Sequence, residues 1–213
     1  MKLELNKFYN MDCMEGMKQI PDKYFDLAIV DPPYGIDVTN MNMGGRNTIR
    51  PDKSKKWDKD IPTEKYFKEL KRTSKNQIIW GGNYFDLPPT RGFVIWDKGE
   101  SMYKRSFAEC EFGWTSFDVS ARIYKLNPNQ LDRIHPTQKP VKLYKWILKN
   151  YAKEGDKILD THVGSASSLI ACHQMGFDYI GFELDKEYYK LANERLEIAK
   201  AQISIFDKGF EAT

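Results

Sequence analysis

Short apolar runs alternate with stretches of helical spacing along most of this chain, and that alternation predicts its elements. Leu5–Asn10 and Phe25–Val30 read as strands around a short helix, Cys13–Ile20. Pro62–Thr73 carries Tyr66, Phe67 and Leu70 at helical spacing, with Thr63 and Glu64 near its start. Gln77–Trp80, Phe93–Trp96, Cys110–Thr115 and Ala121–Lys125 read as strands, the last few antiparallel because their connections are short. Val141–Ala152 is a helix, Lys157–Asp160 a strand, Ser167–Met175 a helix, Asp178–Phe182 a strand and Lys186–Lys200 a long final helix. Strands separated by helices predict an α/β fold: a mostly parallel, doubly wound sheet with an antiparallel portion, covered on both faces to give three layers.

One segment breaks the pattern. Residues 35–62 are polar, basic and rich in turn formers (Asn40, Asn42, Gly44, Gly45, Asn47, Pro51). A loop that long inside a compact domain is usually functional or mobile, and this one is expected to be both. The 213 residues otherwise form one domain, and a hydrophobic share of 41% supplies a real core. The net charge of +3 implies no partner, but Arg46–Lys75 holds eleven Lys/Arg against five Asp/Glu. Such a stretch is either a nucleic-acid contact or a solvated face.

Three cysteines (Cys13, Cys110, Cys172) and three histidines (His135, His162, His173) form no metal-ligand spacing, so no metal is expected and the thiols read as free. Met1–Asn10 lacks a signal-peptide core, and no apolar stretch approaches the roughly twenty residues of a membrane span. The expectation is a soluble, cytoplasmic protein away from any membrane.

The chemistry begins where the second strand ends, at Asp31-Pro32-Pro33-Tyr34. Each proline fixes its own φ and disfavours the helical region for the residue before it, so the turn is stiff. It presents a carboxylate, free backbone carbonyls and an aromatic face, which together suit a planar ring bearing an amino group. A proline-rich turn that merely carries an acid and a tyrosine is the alternative.

Lys157–Ala166 is a strand running into a small-residue turn that opens a helix, and Glu183 ends the next strand. An acid there is placed for ribose hydroxyls. Gly164-Ser165-Ala166 lacks the further glycines of a dinucleotide fingerprint, and no Gly-Lys-Ser/Thr follows, which argues against a pyrophosphate and leaves room for a nucleoside without one. Taken alone, this is equally an ordinary βαβ turn. Together, both acids stand at the carboxyl ends of predicted parallel strands, where ligands bind in open α/β sheets.

At this point the chain resembles the DNA amino-methyltransferases, which methylate adenine N6 or cytosine N4 with S-adenosylmethionine. The motif order resembles their β class. Further matches are Asn10-Met11-Asp12-Cys13 and His135-Pro136-Thr137-Gln138-Lys139-Pro140. The resemblance spans nearly the whole chain, thinning between about Gly35 and Asp60, and implies one methyltransferase domain over residues 1–213 with the Rossmann-like fold of that class.

By that resemblance, Asp31 and the Pro32 carbonyl, with Pro33 stiffening the turn, would bind the target amine, and Tyr34 would stack on a flipped base. Asp12 and Cys13 would border the cofactor adenine and Glu183 would hold the ribose. Asp160, Gly164 and Ser165 would line the methionine end, with Lys139 and Pro140 closing it. The family loop usually reads Asp-Pro-Phe-x-Gly-Ser-Gly. Here Thr161, His162 and Ala166 replace Pro, Phe and the last Gly, and His162 keeps a ring at the cofactor.

Arg46, Arg50, Lys53, Lys55, Lys56 and Trp57 are the nucleic-acid candidates, with double-stranded DNA as partner and a homodimer left open. Trp80, Trp96 and Trp114 read as core, and His135 as a cap. The expected activity is adenine-N6 methylation of DNA with base flipping. Cytosine N4 or an RNA base in the same pocket, and a DNA-binding relic without activity, remain as alternatives.

Overall fold

In the computed structural model, the described residues are 2–36, 60–105, 108–130, 133–135 and 137–208, with side chains described to residue 202. The basic candidates Arg46, Arg50, Lys53, Lys55, Lys56 and Trp57, and most of the loop 35–62, lie outside them. Eight strands form one sheet: β1 (Lys7–Asn10), β2 (Phe25–Val30), β3 (Ser74–Trp80), β4 (Phe93–Asp97), β5 (Cys110–Thr115), β6 (Arg122–Lys125), β7 (Lys157–Asp160) and β8 (Asp178–Glu183). Their order is β1-β8-β7-β2-β3-β5-β4-β6. Among the described residues the α-helices are α1 (Cys13–Met17), α2 (Glu64–Thr73), α3 (Val141–Tyr151), α4 (Ser167–Gln174) and α5 (Lys186–Lys208).

Side chains alternate between the two faces of the sheet, as period-2 geometry requires. Leu27, Ile29, Ile78, Trp80, Ile158 and Tyr179 join a core with Leu143, Ile147, Leu169 and Leu196 of α3, α4 and α5. Ala28, Val30, Ile79, Leu159, Ile180 and Phe182 pack on the other face with Met17, Tyr66, Phe67 and Leu70 of α1 and α2. The expected three-layer, mostly parallel architecture therefore holds. Trp80, Trp96 and Trp114 are all buried in these cores.

Gly16 shows why α1 can lie so close to the sheet: a Cβ there would meet the Phe182 ring at 2.5 Å. Asp12 starts that helix, its Oδ1 accepting from the backbone N–H groups of Met14 at 2.7 Å and Glu15 at 3.2 Å.

The antiparallel portion is smaller than its short connections predict. β5 is antiparallel to β3 and to β4, but β6 pairs with β4 in parallel. Both edges of β5 are already taken, so the short connection from Thr115 carries the chain past it to the free outer edge of β4.

Candidate active site

β2 and β7 are parallel neighbours, with Leu27 opposite Ile158 and Ala28 opposite Leu159. The Asp31 turn and the Asp160 turn therefore leave the same edge of the sheet side by side, although they are far apart in sequence. On the next pair, Asn10 stands opposite Glu183, which brings Asp12 beside the end of β8. A cavity of about 1000 Å³ opens across these ends, and Asp12, Cys13, Asp31, Pro32, Pro33, Tyr34, Lys139, His162, Gly164, Ser165 and Glu183 all line it. Of the residues expected to hold the amine or the cofactor, Asp160 and Pro140 are not on its wall. Asp160 is buried behind it, and Pro140 starts α3.

The Asp31 end is a charge network. Asp31 Oδ1 accepts from the Tyr34 hydroxyl at 2.5 Å, and Lys139 Nζ lies 2.5 Å from Oδ2. The same ammonium lies 2.9 Å from Glu111 Oε2, while Lys98 Nζ is 2.8 Å from Glu111 Oε1. Burial pushes the Asp31 carboxyl above its ordinary value; Lys139 opposes the shift and Glu111 adds to it. Burial also works against the Lys139 ammonium, but Asp31 and Glu111 outweigh it and hold its pKa above the usual lysine value. Burial would raise Glu111 as well, yet two cations, Lys139 and Lys98, hold it down at about 2. Glu111 is charged because it has a cation on each oxygen, whereas Asp31 shares its one.

Tyr34 is fixed from several sides. Its ring stacks on Tyr84, and Gly81, at φ +67°, lies against it. Burial, then the nearby Asp31 charge, keep its hydroxyl protonated far above the ordinary range.

The Glu183 end is built from small residues and acids. Glu183 Oε2 accepts from Gly164 N–H and Oε1 from Asp185 N–H, both at 2.9 Å. Gly164, at φ +56°, has open space where a Cβ would stand. Ala166 also takes a left-handed conformation, at φ +61°, which costs a residue with a Cβ about 1–2 kcal/mol and accounts for glycine there in the resembling loop. Arg195 of α5 closes the turn by donating to the Ser165 carbonyl at 2.7 Å.

Asp160 Oδ1 accepts from His162 N–H at 3.0 Å and its Oδ2 from the Ser168 hydroxyl, so it organises the turn from behind. Burial raises it to about 7. Thr161 and His162, which depart from the resembling pattern, are tied together: Tyr66 OH and Thr161 Oγ1 are 2.6 Å apart, and Thr161 Oγ1 and His162 Nδ1 are 2.9 Å apart. Burial holds His162 down at about 4 and pushes the Cys13 thiol up to about 12, so both are neutral near pH 7.

With Asp12 and Glu183 at this end and a glycine turn between them, the wall suits hydroxyls and an amine better than a phosphate.

Sequence reasoning missed Glu111, Lys98 and Tyr84, all of which line the cavity. The available signal was a charged residue inside or just after an apolar strand. His135 does not cap α3, whose first turn starts at Pro140 with no side-chain cap; its Nδ1 accepts from Thr137 N–H at 3.3 Å within the preceding turn, and the residue lines the cavity.

A DNA methylase family model matches residues 82–194, from just after β3 into α5, leaving the Asp31 turn outside. YubD of Escherichia coli (strain K12), described as a candidate methylase, is 26% identical over 214 positions, covering 90% of this chain and 90% of its own. The type II methyltransferase M.HinfI of Haemophilus influenzae is 24% identical, over 94% of this chain and 72% of its own. Among solved structures, PvuII DNA methyltransferase (cytosine-N4-specific) superposes with a TM-score of 0.59 at 12% identity, over 92% of both chains. The M1.HpyAVI–SAM complex gives 0.58 at 20% identity, over 89% of this chain and 98% of that one. These structural likenesses are likenesses of fold.

Proposed function

Because the chain belongs to the DNA methylase family, whose model spans just over half of it, we propose that it transfers a methyl group from S-adenosylmethionine to adenine N6 in double-stranded DNA. When bound, the cofactor supplies a methyl on a positively charged sulfur. Asp12, Cys13, His162, Gly164, Ser165 and Glu183 would hold it, Glu183 on the ribose hydroxyls. The observation that carries the reading is the placement of Asp31, on a rigid turn, across one cavity from Glu183.

An exocyclic amine is a weak nucleophile because its lone pair is delocalised into the ring. Asp31 and the Pro32 carbonyl, each accepting an amino hydrogen, favour a pyramidal nitrogen and restore that lone pair. Asp31 already accepts from Tyr34 and Lys139, but a carboxylate has about four acceptor positions and retains capacity. Transfer then needs positioning and fixed charge rather than a covalent intermediate. A paired base cannot reach such a recess, so it is flipped out and stacked on Tyr34.

Arg46, Arg50, Lys53, Lys55, Lys56 and Trp57 are assigned to DNA contact on their composition. Replacing the three lysines with alanine should lower the salt slope of binding by up to about three.

Cytosine N4 is the second reading, favoured by the cytosine-N4-specific PvuII neighbour. Asp31 at the head of the tetrapeptide, where cytosine-modifying members tend to carry serine, favours adenine. DNA from a methylation-free host expressing the protein, digested to nucleosides and weighed by mass spectrometry, tests both. N6-methyladenine is expected. N4-methylcytosine would reassign the base, and unmodified DNA would remove the enzymatic reading.

A further inference from the structure

Lys139 exposes 3% of its side chain, and its ammonium stands between two largely buried carboxylates: Asp31 after β2 and Glu111 in β5, which β3 separates. We propose that Lys139 is a positioning residue that keeps Asp31 an ionised acceptor against the repulsion of a second carboxylate, Glu111, which Lys98 holds in place. This rests on the reading of Asp31 as acceptor for the target amine.

Two carboxylates sharing one buried site do not both stay ionised without a cation between them. Glu111 is secured by Lys98 on its far oxygen, so in the absence of Lys139 the proton would go to Asp31. A protonated Asp31 would present an O–H to an amino group that itself donates, and the hydrogen bond that shapes the nitrogen would be lost. With Lys139 in place, two acids face two ammonium groups and the cluster is neutral overall.

The position of the ammonium is itself fixed. It lies 5.4 Å from the centre of the Trp80 ring and 5.7 Å from that of Tyr34. The other groups that sense Asp31 are Tyr34, through its hydrogen bond, Tyr66 of α2, Tyr144 of α3 and Asp160 at the end of β7. The tyrosines are held well above their ordinary values and stay neutral. Lys98, Glu111, Lys139 and Asp31 all line the cavity, so this cluster borders bound substrate and is more than an ion pair in the core.

The test measures methyl transfer from labelled S-adenosylmethionine into unmethylated genomic DNA across about pH 5 to 9. Lys139→Met should lose on the order of 10²-fold at neutral pH, with the acid limb of its rate profile moved to higher pH. Lys139, expected by resemblance to close the methionine end, places its ammonium on Asp31 and Glu111, so the cofactor affinity of the variant, read by calorimetry, should stay within about threefold of wild type. Adding Glu111→Gln removes the repelling charge, so the double variant should regain about tenfold or more over Lys139→Met and its limb should move back down.

A wild-type limb in Lys139→Met, a loss confined to cofactor affinity, or a double variant no better than the single would each overturn the inference. Glu111→Gln alone, which leaves Lys139 on Asp31, should move the limb to lower pH. An unmoved limb there overturns the inference even if Lys139→Met fails to fold. An active Asp31→Ala would overturn the reading of Asp31 itself; an inactive Asp31→Ala beside a normal Lys139→Met overturns only the role of Lys139.

Discussion

A side-chain carbon added at Gly81 would stand 2.2 Å from Cε1 of Tyr34. Gly81 also sits at φ +67°, so the position excludes a Cβ on two grounds. On Tyr34 itself, the Tyr84 ring lies 5.0 Å away and 14° from parallel. The tyrosine assigned to the target base is thus placed by a glycine that belongs to neither sequence motif.

Gly81→Ala should therefore displace Tyr34 and break its bond to Asp31 without touching the Glu183 end. Methyl transfer should fall by about 10²-fold, the scale of a reacting group misplaced by an ångström, while calorimetry shows unchanged cofactor affinity. Full activity would mean that the Tyr34 ring position does not matter.

Asp31→Ala should lose about 10² to 10³ in rate, the usual consequence of removing one positioned electrostatic contact. The fold should survive, because Lys139 keeps Glu111 as an ion partner. Circular dichroism and a cofactor titration on the same sample check that the loss is chemical.

Glu183→Ala should weaken cofactor binding by about 1.5–3 kcal/mol, since a charged acceptor is lost from buried donors. The variant also strips the acceptors from Gly164 N–H and Asp185 N–H. Glu183→Gln keeps one of them and should show the smaller loss. Equal affinity in all three proteins would place the ribose elsewhere.

His162 is shifted from 6.5 to about 4 by burial, so the unfolded chain takes up its proton before the folded one does. Its contribution to stability is full above about pH 6.5 and is lost as pH falls toward 4. The ring keeps some exposure at the cavity wall, which limits the effect to on the order of 1 kcal/mol near pH 5. His162→Phe lacks this titration, so its melting temperature should fall less than that of wild type between about pH 7 and pH 5. Parallel curves would mean that His162 is not held neutral by the fold.

The parts legible in the sequence were those written locally. A strand ending in Asp31-Pro32-Pro33-Tyr34 and another ending before Gly164 each carry their own geometry, and the sheet then brings both to one edge. Glu111 and Lys98 were illegible for the opposite reason. A charged residue in or beside an edge-like strand resembles a solvent-facing position, and only the pairing of β4 with β5, and of β5 with β3, sets these two inside the sheet. Lys139 could be recognised within His135–Pro140, but its partners lie 108 residues away at Asp31 and 28 away at Glu111 (139 − 31 and 139 − 111). The parallel pairing of β6 was hidden because a short connection predicts direction and says nothing of which neighbour is free.

Among the described strands β1 is hydrogen-bonded to β8 alone, and Asn10 meets Glu183 across 173 residues of chain (183 − 10). Closing so long a loop is entropically late in folding, whereas β7, α4 and β8 assemble from one contiguous stretch. Asp12 and Glu183 stand at the two ends of that closure, so the pocket proposed for the nucleoside is completed last, after the tryptophans of β3, β4 and β5 are already packed. In refolding, recovery of ligand affinity should lag the recovery of tryptophan fluorescence, and excess ligand should raise the yield by trapping the strand once it docks.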